Sequence, residues 1–254
     1  MNQMQPLQRG NIRLAATVML VRDSEAGLQV YMVKRPGSGD FPDLHVFPGG
    51  KVDEDDWAPE LCFDLEDEQA SERLGIERGG LRYWVAVARE CFEECGVLLA
   101  HRNGEMPDFG QADVRAAYSE YRRRLLADEI SFADICQAEQ LQVACDLLAY
   151  FSHWLTPEVA PRRFDTRFFI AAMPPGQTAL ADTDETTGEH WEYPGQALGR
   201  HESGEWRMID PTLRSLETLS GFSSVSQALA GVNQADHLMP LTDALRAQGM
   251  QPLR

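Results

Sequence analysis

The sequence has 254 residues, of which 43% are hydrophobic and 25% are charged, and its formal net charge is −17 at pH 7. These values are ordinary for a globular domain that buries a sizeable core. The excess of acidic residues excludes broad, non-specific binding to nucleic acid, which requires a basic surface. It does not exclude a small phosphorylated ligand, because a bound divalent cation reverses the potential locally.

No stretch is apolar over the roughly 20 residues that a bilayer-spanning helix needs, so we expect no membrane association. The N-terminus has no apolar signal stretch, and the C-terminus has neither a lipidation motif nor a Ser-Lys-Leu-type peroxisomal address. The five cysteines follow no disulfide framework, which favours reduced thiols and a cytoplasmic location. No further ligands at zinc-site spacing accompany Cys91 and Cys95, so we expect both to be packed thiols.

Two strands are predicted at the start of the chain. Residues 12–22 and 28–35 are rich in β-branched and aliphatic residues, and the turn between them predicts a hairpin. Residues 36–50 contain many Gly and Pro residues and predict a loop. A short helix is expected through 65–74.

The clearest helix is predicted over 81–96, where apolar residues recur at helical spacing up to Gly96, a common helix terminator. A short strand follows at 97–100, and the segment 111–149 is predicted to be helical throughout. The remaining predicted elements are strands at 150–156, 163–173 and 190–193 and helices within 196–206 and 211–232. Since no internal repeat or linker interrupts them, we expect one α/β domain with helical insertions.

A cluster of carboxylates lies at the end of the 81–96 helix, where the sequence reads Arg-Glu-Cys-Phe-Glu-Glu-Cys-Gly-Val from Arg89. Residues three and four apart share a helix face, so Glu90 lies near Glu93 and Glu94, and each pair repels by roughly a few tenths of a kcal/mol. A divalent cation would offset this repulsion, because Mg²⁺ takes carboxylate oxygens together with substrate phosphates and activates water. Taken alone, the same string is more often a solvated helix face.

A glycine-rich stretch lies upstream, at Phe-Pro-Gly-Gly-Lys-Val-Asp from residue 47, and is followed by further acidic residues. The paired Gly49 and Gly50 would let the backbone approach a metal or a phosphate closely. Taken alone, this stretch predicts only a turn.

Together the two stretches resemble the signature box of Nudix hydrolases. The box consists of a glycine, five residues, an acid and seven residues, followed by Arg-Glu-aliphatic-any-Glu-Glu-any-Gly-aliphatic. Gly50 stands at the first glycine, and Asp56 stands at the acid, where Glu is usual. The second half is matched by Arg89, Glu90, Glu93, Glu94, Gly96 and Val97, with Cys91 at an aliphatic position. Residues 57–88 separate the halves where seven residues are expected, an insertion of about 25.

An insertion at this point is typical of the Nudix subgroup that looks like the mammalian peroxisomal coenzyme A diphosphatase. The chain is similar to that subgroup from about residue 12 to residue 200, for example in FPDLHVFPGGKVDEDDW and HWLTPEVAPRRFDTRFFIAAM. The resemblance implies the α/β Nudix fold, a mixed sheet sandwiched between helices. It also implies a single domain over 1–254, with the box insertion at about 57–82 and a helical insertion at about 111–149.

The same resemblance implies roles for the box residues. Glu93 and Glu94 would be ligands of Mg²⁺ or Mn²⁺, Glu90 a further ligand or the group that activates water, and the Gly50 carbonyl would complete the shell. Arg89 would pair with Asp56 and orient the helix. The catalytic residues implied in this way are Glu90, Arg89, Glu94, Asp56 and Glu185, the last as a base or extra ligand.

Basic residues near the glycine stretch are candidates for binding the diphosphate. Lys34 and Arg35 would contact it together with the backbone of Gly49 and Gly50, although a solvated strand end fits them as well. Arg163 is a further candidate, although a structural network is favoured there because Asp165 and Arg167 alternate on the same predicted strand.

A run of three arginines, 122–124, occupies one predicted helix. It is interpreted as a solvated face, with a clamp on a 3′-phosphate as the alternative.

The expected function is metal-dependent hydrolysis of a diphosphate linkage in a nucleoside diphosphate derivative. Coenzyme A or acyl-coenzyme A is the leading substrate, with 3′,5′-ADP and a phosphopantetheine as products, and ADP-ribose, NADH or capped RNA are the alternatives. A non-catalytic Nudix-like nucleotide sensor is the alternative of another class, although the intact acidic cluster argues against it. The expected partner is therefore a small nucleotide-like substrate, and a homodimer is left open.

Overall fold

The structure is a computed structural model that describes residues 6–37, 42–160, 162–181 and 188–233. Its strands are β1 (Gln8–Arg9), β2 (Ile12–Ser24), β3 (Gly27–Lys34), β4 (His45–Val46), β5 (Gly49–Lys51), β6 (Ala100–Arg102), β7 (Leu141–Val143), β8 (Ala149–Leu155), β9 (Arg163–Ala172) and β10 (Gly188–Glu192). Its α-helices are α1 (Asp67–Leu74), α2 (Leu81–Cys95), α3 (Ala112–Leu126), α4 (Phe132–Glu139), α5 (Pro194–Glu202), α6 (Asp210–Leu219) and α7 (Val225–Asn233). In the described ranges, no helix combines the length and the apolar character needed to span a membrane.

A mixed sheet forms the centre of the molecule, in the strand order β10-β3-β2-β9-β8. Strand β2 runs parallel to β9 along most of its length and antiparallel to β3 only near its end, at Val21–Ser24. The first part of β2 instead pairs with β5, with Thr17 opposite Gly49. The glycine stretch therefore occupies the edge of β2 that β3 leaves open.

Helices cover both faces of the sheet. Successive strand residues point to opposite sides, and on β2 both sets of side chains are apolar. On β2, Leu14, Ala16, Val18 and Leu20 pack in a core cluster with α2, whereas Met19 and Val21 pack in a second cluster with α5, α6 and α7. Strand β2 is thus buried on both faces, which explains its nearly continuous apolar sequence. The predicted α/β architecture of a mixed sheet between helices is confirmed.

The helix α2 is closed at both ends by defined contacts. Gly96 takes a left-handed conformation (φ 66°) and donates its N–H to the carbonyl of Phe92, as the glycine predicts. At the N-terminus, Asp67 of α1 accepts hydrogen bonds from the backbone N–H groups of Gly79 (3.0 Å) and Leu81 (3.2 Å). Residues inserted between the two halves of the box therefore cap the helix that carries the carboxylates.

The prediction of helical structure throughout 111–149 is wrong for the last residues of that segment. The residues described as α-helical there are Ala112–Leu126 and Phe132–Glu139. The C-cap of α4 is Gln140, which has a positive φ of 54°. Residues Leu141–Val143 alternate between buried and exposed and pair with β6 as a strand. A two-residue period over so short a segment is hard to distinguish from a helix in sequence.

Candidate active site

The guanidinium group of Arg89 joins the two halves of the box. Its Nε and Nη2 atoms each donate to Asp56, both at 2.9 Å, and Nη2 also donates to the carbonyl of Lys51 at 2.8 Å. The prediction that the ends of the insertion meet, with Asp56 within salt-bridge reach of Arg89, is confirmed.

The local chain holds Asp56 in position for this pairing. Residues Glu54–Asp56 form one turn of 3-10 helix, and the backbone N–H of Asp53 donates to Asp56 Oδ2 at 2.7 Å. Burial raises the pKa of Asp56, and the hydrogen bonds from Arg89 act against that increase. Burial lowers the pKa of Arg89, but Asp56 and the neighbouring glutamates outweigh it, so the net pKa is raised. Arg89 is therefore a permanent cation at the base of the site.

The three glutamates of α2 lie next to this cation. Arg89 Nη1 donates to Glu90 Oε1 at 2.8 Å and to Glu93 Oε2 at 3.1 Å. Glu94 accepts a hydrogen bond from the backbone N–H of Gly49 at 2.8 Å and lies 3.4 Å from Arg35 Nη2. Burial raises the pKa of Glu90 well above its ordinary value. Arg89 opposes this rise, and Glu94 and Glu93 add to it.

The glycine pair lies on β5, beside β2 and next to the glutamates of α2. A Cβ atom on Gly49 would lie 2.4 Å from the carbonyl oxygen of Ala16, and one on Gly50 would lie 2.4 Å from Glu90 Oε1. Gly49 meets backbone and has a φ of 154°, so this position requires glycine, whereas a side chain at Gly50 would displace the Glu90 carboxylate. The Gly49 carbonyl also accepts a hydrogen bond from Arg35 at 2.8 Å.

The carboxylates open onto a pocket of about 890 Å³. Its polar half is lined by Arg35, Gly49, Gly50, Lys51, Asp53, Arg89, Glu90, Glu93 and Glu94. The rest of the lining includes an apolar wall, defined as the lining residues within 154–168 and 208–212, which include Trp154, Phe164, Phe168, Met208, Ile209 and Pro211. The pocket thus joins a charged cluster to an apolar surface.

The donor set of the polar half fits a hard divalent cation. Glu90, Glu93 and Glu94 offer only oxygen ligands, and a bound cation would oppose the burial and the neighbouring negative charges that together raise the pKa of Glu90. Among the residues that the structure describes, no three His, Cys, Asp or Glu side chains converge on one ion as they stand. The arginines Arg89 and Arg35 contact these carboxylates instead.

Two of the predicted substrate-binding residues do not line the pocket, and one predicted catalytic residue falls outside the described part of the chain. Lys34, at the end of β3, does not line it, and Arg163 turns its Nε to the carbonyl of Thr156 at 2.8 Å. Glu185 falls outside the described residues. The roles suggested for these three remain predictions.

The residues flanking Arg163 form the expected structural network. The buried Asp165 accepts from His153 Nε2 at 2.6 Å, and Arg167 Nη1 donates to the carbonyl of Leu74 at 3.0 Å. Arg167 thereby ties the end of α1 to the central sheet.

The arginine run on α3 divides into two environments. Arg123 is exposed and Arg124 is half-buried, and both pair with Glu129 of the same region, as predicted for a solvated face. Arg122 instead donates from Nε to the carbonyl of Glu93 at 2.9 Å, at the end of α2. None of the three lines the pocket, so the structure gives no support for a clamp there on a 3′-phosphate.

The apolar wall is the part of the site that sequence reasoning does not predict. One signal was available, because Phe164, Thr166 and Phe168 alternate along β9 and so share a face. The segment from Met208 to Thr212 carries no such signal and reaches the pocket only through the packing of α6.

Comparison with known proteins identifies similar chains. The sequence profile described as the NUDT19 Nudix domain matches residues 79–219. The chain is 26% identical over 236 residues to the human protein named acyl-coenzyme A diphosphatase NUDT19, covering 79% of this chain and 62% of that protein. The chicken protein of the same name is 27% identical over 238 residues, with 78% and 62% covered. The chain therefore spans less than two thirds of the length of these relatives.

A solved structure has a similar fold. The crystal structure of a NUDIX hydrolase from Alicyclobacillus acidocaldarius superposes with a TM-score of 0.67 at 25% sequence identity. The match covers 86% of this chain and 96% of that one. The arrangement of sheet and helices is therefore shared over nearly the whole bacterial chain.

Proposed function

This chain belongs to the family of the NUDT19 Nudix domain, and from that premise we propose that it hydrolyses the diphosphate linkage of coenzyme A or an acyl-coenzyme A. The reaction uses a divalent cation, Mg²⁺ or Mn²⁺, and its products are 3′,5′-ADP and a phosphopantetheine or its acyl derivative.

The observation that carries this proposal is the convergence of both box halves on one pocket. Glu94 and Glu90 contact Gly49 and Gly50, and Glu93 lines the same pocket, although the insertion separates the glutamates from the glycines in sequence. These carboxylates would hold the cation, with the Gly50 carbonyl as a further ligand. When bound there, the cation would neutralise phosphate charge and lower the pKa of the attacking water.

The protein's own cations have two different tasks in this proposal. Arg89 is engaged by Asp56, Glu90, Glu93 and the Lys51 carbonyl, so it positions the carboxylates and does not bind substrate. Arg35 and Lys51 line the pocket beside them and supply positive charge to the diphosphate.

The choice of coenzyme A rests on the relatives and on the size of the pocket. Two similar proteins carry the name acyl-coenzyme A diphosphatase. The pocket of about 890 Å³ lies in the upper part of the usual range for small-molecule sites, roughly 300–1,000 Å³, as a large ligand requires. ADP-ribose, NADH and capped RNA are the competing substrates, and nucleotide sensing without catalysis is the competing function.

A substrate panel with product identification tests the proposal. The purified chain is incubated with Mg²⁺ or Mn²⁺ and, separately, coenzyme A, octanoyl-coenzyme A, ADP-ribose, NADH or capped RNA, and the products are identified by mass. We expect 3′,5′-ADP from the coenzyme A compounds and no product after chelation. Faster cleavage of ADP-ribose would overturn the substrate assignment, and binding without turnover of any compound would favour the sensor.

We further propose that the protein works in a reducing compartment such as the cytoplasm. The supporting feature is the packing of Cys91 and Cys95 on α2, where the two Sγ atoms lie 3.8 Å apart as buried free thiols. Alkylation of freshly lysed cells, followed by mass measurement, should find both thiols reduced.

A further inference from the structure

We infer that the apolar wall of the pocket binds the uncharged pantetheine arm of the substrate, and that the adenosine end lies away from this wall. This inference rests on the proposed function and adds to it the direction in which the substrate lies.

The wall offers apolar contact to a ligand next to the carboxylates. Phe164, Ile209 and Pro211 are half-buried and keep part of their surface open to the pocket, and Trp154, Phe168 and Met208 lie buried behind them. In coenzyme A, the diphosphate is followed on the pantetheine side by a methylene and then by a carbon that bears two methyl groups. An apolar surface beside the diphosphate site therefore matches this arm, whereas the sugar hydroxyls of ADP-ribose would lose water there without compensation.

The charge of the wall excludes the other end of the substrate. Asp210 is the one ionisable side chain among the described residues that line the wall, and it is negative and exposed. The ribose of coenzyme A carries a 3′-phosphate, which Asp210 would repel and which would meet no cation among the described residues that line the wall. The lining cations Arg35, Lys51 and Arg89 all lie in the polar half.

The start of helix α6 does not compensate for this missing cation. A helix N-terminus attracts anions through its free N–H groups and its dipole. Here Pro211 has no N–H to donate, and Asp210 already places a negative charge in the first turn. An adenosine 3′-phosphate therefore has no favourable place at the wall, whereas an uncharged arm has one.

Position 209 allows a clean test, because Ile209 is also the N-cap residue of α6. Serine is a strongly preferred N-cap, so Ile209→Ser removes apolar surface from the wall without weakening the helix. Ile209→Val is the matched control, since it keeps a branched apolar side chain. Each buried methylene contributes about a two- to fourfold change in affinity, so we expect about a tenfold loss for the serine variant.

The experiment measures the binding of the two halves of coenzyme A separately by calorimetry. The probes are 4′-phosphopantetheine and 3′,5′-ADP, each in the presence of Mg²⁺, with the wild type and both variants. We expect Ile209→Ser to weaken 4′-phosphopantetheine about tenfold and to leave 3′,5′-ADP within twofold, and Ile209→Val to weaken 4′-phosphopantetheine by no more than about two- to fourfold. A selective loss of 3′,5′-ADP would place adenosine at the wall, and no loss of either would remove the wall from the site. Both outcomes overturn the inference.

Turnover is measured in parallel to separate this inference from the proposed function. The ratio of kcat/KM for coenzyme A to that for ADP-ribose should fall about tenfold in Ile209→Ser. If no diphosphate compound is cleaved by the wild type, the proposed function fails, while the binding measurements still decide where the arm lies.

Discussion

Arg89 connects both halves of the site through one guanidinium group. It contacts Asp56 and Lys51 from the glycine stretch and Glu90 and Glu93 from its own helix. With a raised pKa, it keeps its charge at any pH at which the protein is folded. It follows that the helix cannot turn about its axis without breaking several charged hydrogen bonds.

The Arg89–Asp56 pair should show strong energetic coupling. Removing one partner of a buried ion pair leaves an uncompensated charge, so Asp56→Ala and Arg89→Ala should each lower the free energy of unfolding by about 3 kcal/mol. The double variant should lose at least about 1 kcal/mol less than the sum, because it leaves neither charge of the pair alone. Urea unfolding of the four proteins measures this, and additive losses would show that the pair does not couple the two halves.

Glu94 should matter for catalysis and little for folding. Glu94→Gln retains an oxygen that can accept the hydrogen bond from Gly49 but loses the negative charge that would bind the cation. Turnover should fall by at least about 100-fold, since even residues behind the metal ligands typically account for 10- to 100-fold. Glu72→Gln on the exposed side of α1 is the matched control and should keep full turnover. A folded Glu94→Gln protein with normal turnover would contradict the site assignment.

The box insertion has a structural task that its position in sequence does not reveal. Its helix α1 lies against the start of α2 so closely that a Cβ on Gly80 would come within 2.4 Å of the backbone nitrogen of Ser71. Asp67 accepts the backbone N–H groups of Gly79 and Leu81, and Ser71 Oγ accepts that of Gly80 at 2.9 Å. The insertion therefore fixes the end of α2 that lies opposite the carboxylates.

Removing the Asp67 cap should destabilise the N-terminal end of α2. Asp67→Ala loses the acceptor for two backbone N–H groups, so the free energy of unfolding should fall by about 1–2 kcal/mol. Asp67→Asn should retain much of the stability, since asparagine is an equally preferred capping residue. Thermal and urea unfolding of both variants check this. An alanine variant as stable as the wild type would mean that the insertion does not support the helix.

An element of this fold can be predicted from sequence when the residues that determine it lie within the element itself. The helix α2 is predictable because its apolar spacing and Gly96 lie within the helix itself, and the meeting of Asp56 with Arg89 follows from the box pattern. The strand at Leu141–Val143 is not, because its pairing with β6 is a long-range contact. Ile209 could not be assigned to the pocket either, since the packing of α6 on the sheet alone brings it there. Arg122 reads as a surface residue because its acceptor, the carbonyl of Glu93, lies on another helix.

The molecule as a whole consists of two apolar cores on either side of a sheet, and few polar groups enter either one. His45 is such a group: it is 5% exposed, stacks on Trp206 at a centroid distance of 4.2 Å, and has no hydrogen-bond partner for its buried Nδ1. Burial lowers its pKa to about 4, and the positive charges of His190 and Lys34 act in the same direction. The fold therefore accommodates His45 only as the neutral imidazole.

This preference should make the stability of the whole protein depend on pH. The pKa of an unfolded histidine is about 6.5. Between pH 6.5 and 4, His45 is therefore protonated in the unfolded chain and remains neutral in the folded protein. Stability should thus be present above pH 6.5 and decrease as the pH falls towards 4, with about 2–3 kcal/mol attributable to His45. His45→Phe, which keeps a ring beside Trp206, should lose that part of the pH dependence in urea unfolding between pH 7.5 and 4.5. Identical pH profiles for the two proteins would contradict the assignment.

At the carboxylate end of α2, strand β5 presents bare backbone to the glutamates, because Gly49 donates its N–H to Glu94 and Gly50 lies against the Glu90 carboxylate. The distance between the glutamates and this backbone is therefore set by the absence of two side chains, and exchanging side chains elsewhere in the cores cannot reproduce it. An engineer who transplants this acidic helix onto another sheet would have to reproduce that spacing first. A scaffold with an ordinary strand-to-helix separation, filled by side chains, would hold the same glutamates too far from the backbone that faces them.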